Sequence, residues 1–195
     1  MTKTSETGVP DGRRQRSERS RQAIIDAMAA MIEEGNLIPT AQQASDRAGV
    51  GIRTVFRHFS DMGNLFSIAD TQRRAYIEGL FAGGDRSGSL GERIQKLVDY
   101  RGEQFELVAN IARSSLAQRW RYQALRHNYA RYQRALKNDS FDWLPELTSL
   151  PAALQDSIEA QLSFEYWDRL RDHQGLNKDE AKAAVTETLA RLLGP

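Results

Sequence analysis

In the stretch 40–59, TAQQASDRAGVGIRTVFRHF, Thr40, Arg53, Thr54, Arg57 and His58 are among the residues able to make directed polar contacts. A guanidinium offers parallel N–H donors, the arrangement that fits the O6 and N7 acceptors of guanine or two phosphate oxygens. Val55 and Phe59 are apolar at a spacing of four, so one side of a helix is buried there. That leaves Gly51, Ile52, Arg53, Thr54, Arg57 and His58 facing outward, a face suited to a DNA major groove. Arg53 is the expected base-edge contact. Gly51 and Thr54 are expected at phosphate or a thymine methyl. Thr40 is expected at phosphate together with its helix N-terminus. Arg57 and His58 would follow the backbone, although His58 adjoins Phe59 and can equally be a packed imidazole.

These side chains need two short helices and a tight turn to hold them. Thr40 and Gln43 have the spacing of a capping box at the start of the first helix. Ala44 and Ala48 give that helix a small inner face. Gly49 falls where the chain must turn with positive φ, Val50 plugs the turn, and a second helix is expected over Ile52–His58. An earlier helix, about Ser17 to Glu34, carries Ile24, Ile25, Met28, Met31 and Ile32 on one face and ends at Gly35-Asn36. Ser60-Asp61 can cap a fourth helix, about Met62 to Ala82, with Leu65, Ile68, Ala69, Tyr76, Leu80 and Phe81 as its apolar positions. The charge is local too. The whole chain has net charge +1, yet Arg13, Arg14, Arg16, Arg19 and Arg21 face only one acid, Glu18, whereas from Asp61 onward 18 basic residues stand against 19 acidic ones. Residues 1–16 are expected to be a flexible basic arm, with Arg14 and Arg16 binding phosphate.

Cap, turn glycine, outward helix and the entry to the next helix all fall in register. The pattern Ala44-x3-Ala48-Gly49-Val50-x3-Thr54-Val55-Phe56-x-His58-Phe59, followed by Asp61 and Leu65-Phe66, resembles the DNA-binding domain of the tetracycline-repressor (TetR) family over about Ser17 to Ile77. Two positions depart from the family pattern. Phe56 stands where a tyrosine is common and Met62 where a lysine is common, both of which usually touch phosphate. Arg57 and the arginine arm are the available substitutes.

Beyond the loop Gly83–Ser89, helical patterns continue. One is expected from Leu90 to Ile111, with Gly102 or Asn110 as possible breaks, and another over Arg119–Lys137. An irregular stretch, Asn138–Leu150, follows. A long helix from Pro151 to His173 and a last one from Asn177 complete the chain. Tyr100, Phe105, Ile111, Trp120, Tyr122, Phe141 and Trp143 are the candidate lining of a ligand pocket, although aromatic residues at helical spacing also build ordinary cores. Arg101, Glu103, Arg113 and His127 are its possible polar anchors. The TetR resemblance implies pairing of the last two helices across a two-fold axis, with Trp167, Leu170, Val185, Leu189, Leu192 and Leu193 as candidate dimer contacts. A single reading helix covers few base pairs, so useful affinity calls for two half-sites.

Composition bounds the remainder. The chain has 195 residues, is 40% hydrophobic and 27% charged, and contains no cysteine, which excludes disulfide and thiol chemistry. There is no apolar run of membrane-spanning length and no secretory signal pattern, so a cytoplasmic protein is expected. His58, His127 and His173 are too scattered for a metal, and no catalytic or cofactor motif stands out, so neither metal nor cofactor is expected. The expected architecture is all-α: a helix-turn-helix domain over 17–77 and a larger helical domain over 78–195 for effector binding and dimerisation. The expected function is a homodimeric transcriptional repressor that binds a palindromic double-stranded operator and is released by a small apolar or aromatic effector. A regulator controlled by a protein partner or by no ligand, and a helical enzyme that does not touch DNA, are the alternatives.

Overall fold

A computed structural model describes residues 12–194, all of whose regular structure is helical. The first helix, α1 (Gly12–Glu33), starts five residues before the expected Ser17. Residues 12–16 are therefore its first turn, which places Arg14 and Arg16 on a helix; residues 1–11 of the expected arm lie outside the described residues. Then come α2 (Ala41–Arg47), α3 (Ile52–His58) and α4 (Met62–Phe81), the last capped by the Asp61 carboxylate on the Asn64 N–H. Buried side chains of all four, among them Ile24, Met28, Ala44, Val55, Phe59 and Leu65, form one apolar core. The expected boundary at residue 77 falls within α4, which runs unbroken across it. Tyr76, expected inward, is 62% exposed; the adjacent Ile77 takes the buried position.

The larger core is built around α5 (Leu90–Gln118), which is continuous through both expected break points. Gly102 does not break it. A Cβ there would come within 2.9 Å of the Trp167 ring, so this glycine lets α5 approach the helix that carries Trp167. Next is α6 (Gln123–Trp143), which extends over residues expected to be irregular and ends in a 3₁₀ turn, Pro145–Ser149. The expected long helix from Pro151 to His173 is two: α7 (Ala152–Gln161) and α8 (Phe164–Asp168), the latter continuing as a π-turn through His173. Ser163 separates them because its hydroxyl caps the new helix at the Tyr166 N–H. Asn177 then caps α9 (Lys178–Leu193) through a capping box with Glu180. Buried residues of α5, α6, α7, α8 and α9 form a second core around Phe105, Trp143, Ile158, Trp167 and Leu189.

One buried ion pair crosses this core. Arg101, 3% exposed, donates to Asp139 at 2.6 Å and to the Ser140 hydroxyl at 3.0 Å. Arg86 reaches the same carboxylate at 2.7 Å from the 83–89 loop. The polar groups of a buried pair must be satisfied in this way, because an unpaired charge there is costly.

Candidate functional site

The turn unit is fixed by local chemistry. The Thr40 hydroxyl accepts from the Gln43 N–H at 3.2 Å, and Gln43 Oε1 accepts from the Thr40 N–H at 2.9 Å, closing the capping box. Gly49 has φ +65°, a conformation that costs a side-chain-bearing residue roughly 1 kcal/mol or more. Gly51 caps α3, and its carbonyl accepts from the Thr54 N–H at 2.7 Å. Val55 and Phe59 are each 1% exposed and anchor α3 in the N-terminal core. The Arg21 guanidinium lies 5.7 Å from the centre of the Phe59 ring, a further contact between α1 and the end of α3.

With that face buried, Arg53, Arg57 and Gly51 are exposed, while Ile52 and Thr54 are half-buried. Thr40 is exposed at the start of α2. His58 is half-buried with its ring 6.2 Å from that of Phe59, and its Nε2 is buried without a hydrogen-bond partner. Burial, and then the positive charges of Arg57 and Arg21, push its pKa below the ordinary histidine value. His58 thus brings no positive charge to the outer face at neutral pH, which favours the packed reading over the backbone contact. Phe56 stands three residues from Arg53 and is 52% exposed, an apolar residue on the same face that the inward–outward pattern leaves unassigned.

A cavity of about 410 Å³ lies between α4, α5 and α6. From the expected lining it takes Phe105 and Ile111 only. Trp143 is fully buried against Tyr100 and belongs to the core. Tyr122 packs on Phe66 beside the N-terminal core. Phe141 packs half-buried against the larger core, and Trp120 is 71% exposed, with the Arg119 guanidinium over its ring. The lining that replaces them includes Phe81, Val108, Tyr129, Tyr132 and Phe164, with Asp70 and Glu78 on α4. None of the expected polar anchors lines it. Arg101 is used by Asp139, Glu103 by Lys178 and Lys182, Arg113 by Asp168, and His127 is exposed.

The proposed dimer contacts need a similar correction. Trp167, Leu170, Val185 and Leu189 are at most 5% exposed and are spent on the chain's own core. Leu192 and Leu193 are half-buried, which leaves part of each side chain free for a partner.

Two connections link the cavity to the turn unit. The first is α4, where Ala69 packs in the N-terminal core and the next residue, Asp70, lines the cavity. The second comes from polar side chains one turn apart on α5. Asn110 donates to the Glu33 carbonyl at 2.8 Å, Ser114 to the Leu37 carbonyl at 2.7 Å, and Gln118 to the same carbonyl at 3.1 Å. These bonds hold the connection between α1 and α2, three residues before Thr40. In the sequence only the i, i+4, i+8 spacing hints at them, because their acceptors are backbone carbonyls some 80 residues away.

No family model matches this sequence, and no curated protein aligns with it. Solved structures do match. A TetR-family transcriptional regulator from Streptomyces coelicolor superposes with a TM-score of 0.68 at 17% identity, over 90% of this chain and 80% of that one. The multidrug-binding protein EbrR, complexed with imidazole, matches with a TM-score of 0.64 at 19% identity, over 90% and 95%. A transcriptional regulator from Rhodococcus sp. Rha1 matches with a TM-score of 0.64 at 14% identity, over 91% and 95%. Over about nine-tenths of its length, the chain has the fold of TetR-family transcriptional regulators.

Proposed function

We propose that the protein is a DNA-binding transcriptional regulator, a homodimer whose two α3 helices read the half-sites of a palindromic operator and whose grip on DNA is released by a small molecule in the 410 Å³ cavity. The observation that carries this reading is the outer face of α3. Arg53 and Arg57 stand exposed on a helix whose opposite side is held by Val55 and Phe59. Support also comes from the fold, since the similar structures are regulators and one is a multidrug-binding protein complexed with imidazole. In this reading a ligand shifts α4 and α5 together. The separation of the two reading helices then no longer matches the half-sites, and a coupling of about 1–3 kcal/mol weakens operator binding roughly 5- to 150-fold. Bound at an operator that overlaps a promoter, the regulator acts as a repressor, and the ligand relieves it.

Selection of bound sequences from random DNA tests the reading. It should enrich a palindrome with half-sites about one helical turn apart, or a multiple of that. Arg53→Ala should then lose about 1–3 kcal/mol of discrimination at one base pair per half-site. Enrichment of no sequence, or undiminished specificity in Arg53→Ala, would overturn the assignment of α3.

A further inference from the structure

We propose that the ligand is an organic cation, an aromatic or apolar body carrying a protonated amine that pairs with the Asp70 carboxylate and the Tyr132 hydroxyl. This rests on the reading of the cavity as the effector site.

The charged residues that line the cavity are four carboxylates, Asp70, Glu78, Asp139 and Asp142, and one cation, Arg86. Asp139 is satisfied by Arg101 and Arg86. Asp142 is exposed, with Arg86 4.0 Å away. Asp70 is in a different state. Its side chain is 14% exposed, and its Oδ2 is buried without a hydrogen-bond partner. The nearest cation, Arg131, lies 3.9 Å from Asp70 and 3.7 Å from Glu78, so one guanidinium is divided between two carboxylates and hydrogen-bonds to neither. Its hydrogen bond goes to Asn128 instead. The Tyr132 hydroxyl is also buried without a well-formed hydrogen bond, and Arg131, whose guanidinium lies 4.7 Å from the centre of the Tyr132 ring, faces it as well.

Native structures rarely leave such groups unpaired, and the few that remain call for a missing partner. Here the missing partner is a donor. An ionised carboxylate only accepts hydrogen bonds, and a phenol oxygen can accept as well as donate. An ammonium group supplies several N–H donors and the opposite charge, and charge-assisted bonds are about twice as strong as neutral ones. An anion would meet the Asp70 and Glu78 carboxylates, and a neutral ligand would bring no charge-assisted bond to the Asp70 Oδ2. Phe105, Val108, Phe164 and the Tyr129 ring supply the apolar walls for the body of the ligand. The volume lies in the range of drug-sized sites, roughly 300–1,000 Å³.

Protonation should compete with such a ligand. Burial raises the Asp70 pKa above the ordinary carboxylate value. Arg131 and Arg74 pull it down again, and Glu78 adds to the rise. Burial, with Asp70 next, pushes Tyr132 up to about 12, so its hydroxyl keeps its proton. On the α5 side Ile111 and Ser115 line the cavity and carry no charge.

The test uses the full chain and three probes of one size: 2-naphthylmethylammonium, 2-naphthalenemethanol and 2-naphthoate. Calorimetry should give the cation about tenfold or more over the alcohol, with the anion weakest. Asp70→Asn should erase the preference for the cation and leave the alcohol within about twofold, since the side chain keeps its size and one acceptor oxygen and loses its charge. Lowering the pH toward the Asp70 pKa should weaken the cation and not the alcohol. Tyr132→Phe, which removes one oxygen, should weaken the cation severalfold and serves if Asp70→Asn does not fold. Equal or tighter binding of the alcohol or the anion, a preference that survives Asp70→Asn, or binding of none of the three overturns the assignment of a cation. Operator affinity, measured with each probe that binds, separates the two readings. A bound alcohol that releases DNA leaves the effector site standing without the cation. A bound cation that changes nothing in DNA binding leaves the cation site standing without the effector role.

Discussion

Arg53, Arg57 and Phe56 make up the exposed surface of α3, and α1 begins with further exposed arginines, among them Arg14 and Arg16. Arg14 and Arg16 lie on a helix, where their direction is fixed relative to the turn unit. A double substitution to glutamine should therefore reduce the salt dependence of operator binding, making the slope of log K against log salt shallower by about 1–2 if one or both meet phosphate. Titration of binding across salt concentrations measures this, and an unchanged slope would remove both from the interface. His58 gives a prediction about stability. Its pKa is lowered in the folded state, first by burial and then by Arg57 and Arg21. The unfolded chain takes up a proton at the ordinary value, about 6.5, and the folded chain resists it. The contribution of His58 to stability is therefore fully present above about 6.5 and declines as the pH falls through the window down to its folded pKa. His58→Gln should flatten that part of the profile in denaturant melts across pH 5–8, the span in which an ordinary histidine titrates.

At the scale of elements, α4 and α5 carry the connection between cavity and turn unit. On α4, Arg73 pairs with Glu33 at 2.5 Å, and Gln22 and Gln72 exchange amide hydrogen bonds at 3.1 Å, so α1 and α4 are tied along their length. On α5, Asn110, Ser114 and Gln118 hold the carbonyls of Glu33 and Leu37. Replacing Ser114 by alanine and Gln118 by leucine leaves the Leu37 carbonyl without its α5 donors, at a cost of about 1–3 kcal/mol if no water enters. The double variant should melt at a lower denaturant concentration. It should also respond less to any ligand that releases DNA, since two of the three bonds of the α5 connection are gone and only that of Asn110 remains. An operator-binding assay with and without that ligand checks the second outcome. A full ligand response would assign the coupling to α4 alone.

Over the whole molecule, the larger core is organised around charge as well as apolar burial. Asp139 neutralises Arg101 in the interior and receives Arg86 from the loop after α4. Asp139→Ala should cost about 3–5 kcal/mol in denaturant melts, because Arg101 would remain buried and uncompensated. Arg101→Met, which removes the buried cation and fills its space, should cost clearly less. If both cost the same, the pair contributes by packing and not by charge.

Much of the turn unit was legible in the sequence because its physics is local. Thr40 and Gln43 meet across one helical turn, Gly49 answers to the backbone of its own turn, and Val55 and Phe59 define a buried side by spacing alone. The exposed position of Arg53 follows from the same spacing. The cavity lining and the burial of the leucines and tryptophan on the last helices were not legible, because an aromatic or leucine at helical spacing is buried by whatever packs against it. Trp143 is enclosed by Tyr100 and the 83–89 loop, whereas Trp120, also an aromatic in the same part of the chain, lies at the surface. Trp167 and Leu189 carry the apolar pattern of an interface yet fill the core of their own chain. Nothing in the sequence marks Asp70 as buried, and only the approach of α6 encloses it beside Tyr132 and leaves it short of a donor. The sequence by itself determined the helical class, the capped turn and its outward arginines, since these depend on neighbours within a few residues. The tertiary structure decided which residues enclose the cavity, which carboxylate stays unpaired and how α5 grips the turn unit, since each depends on groups brought together from distant parts of the chain.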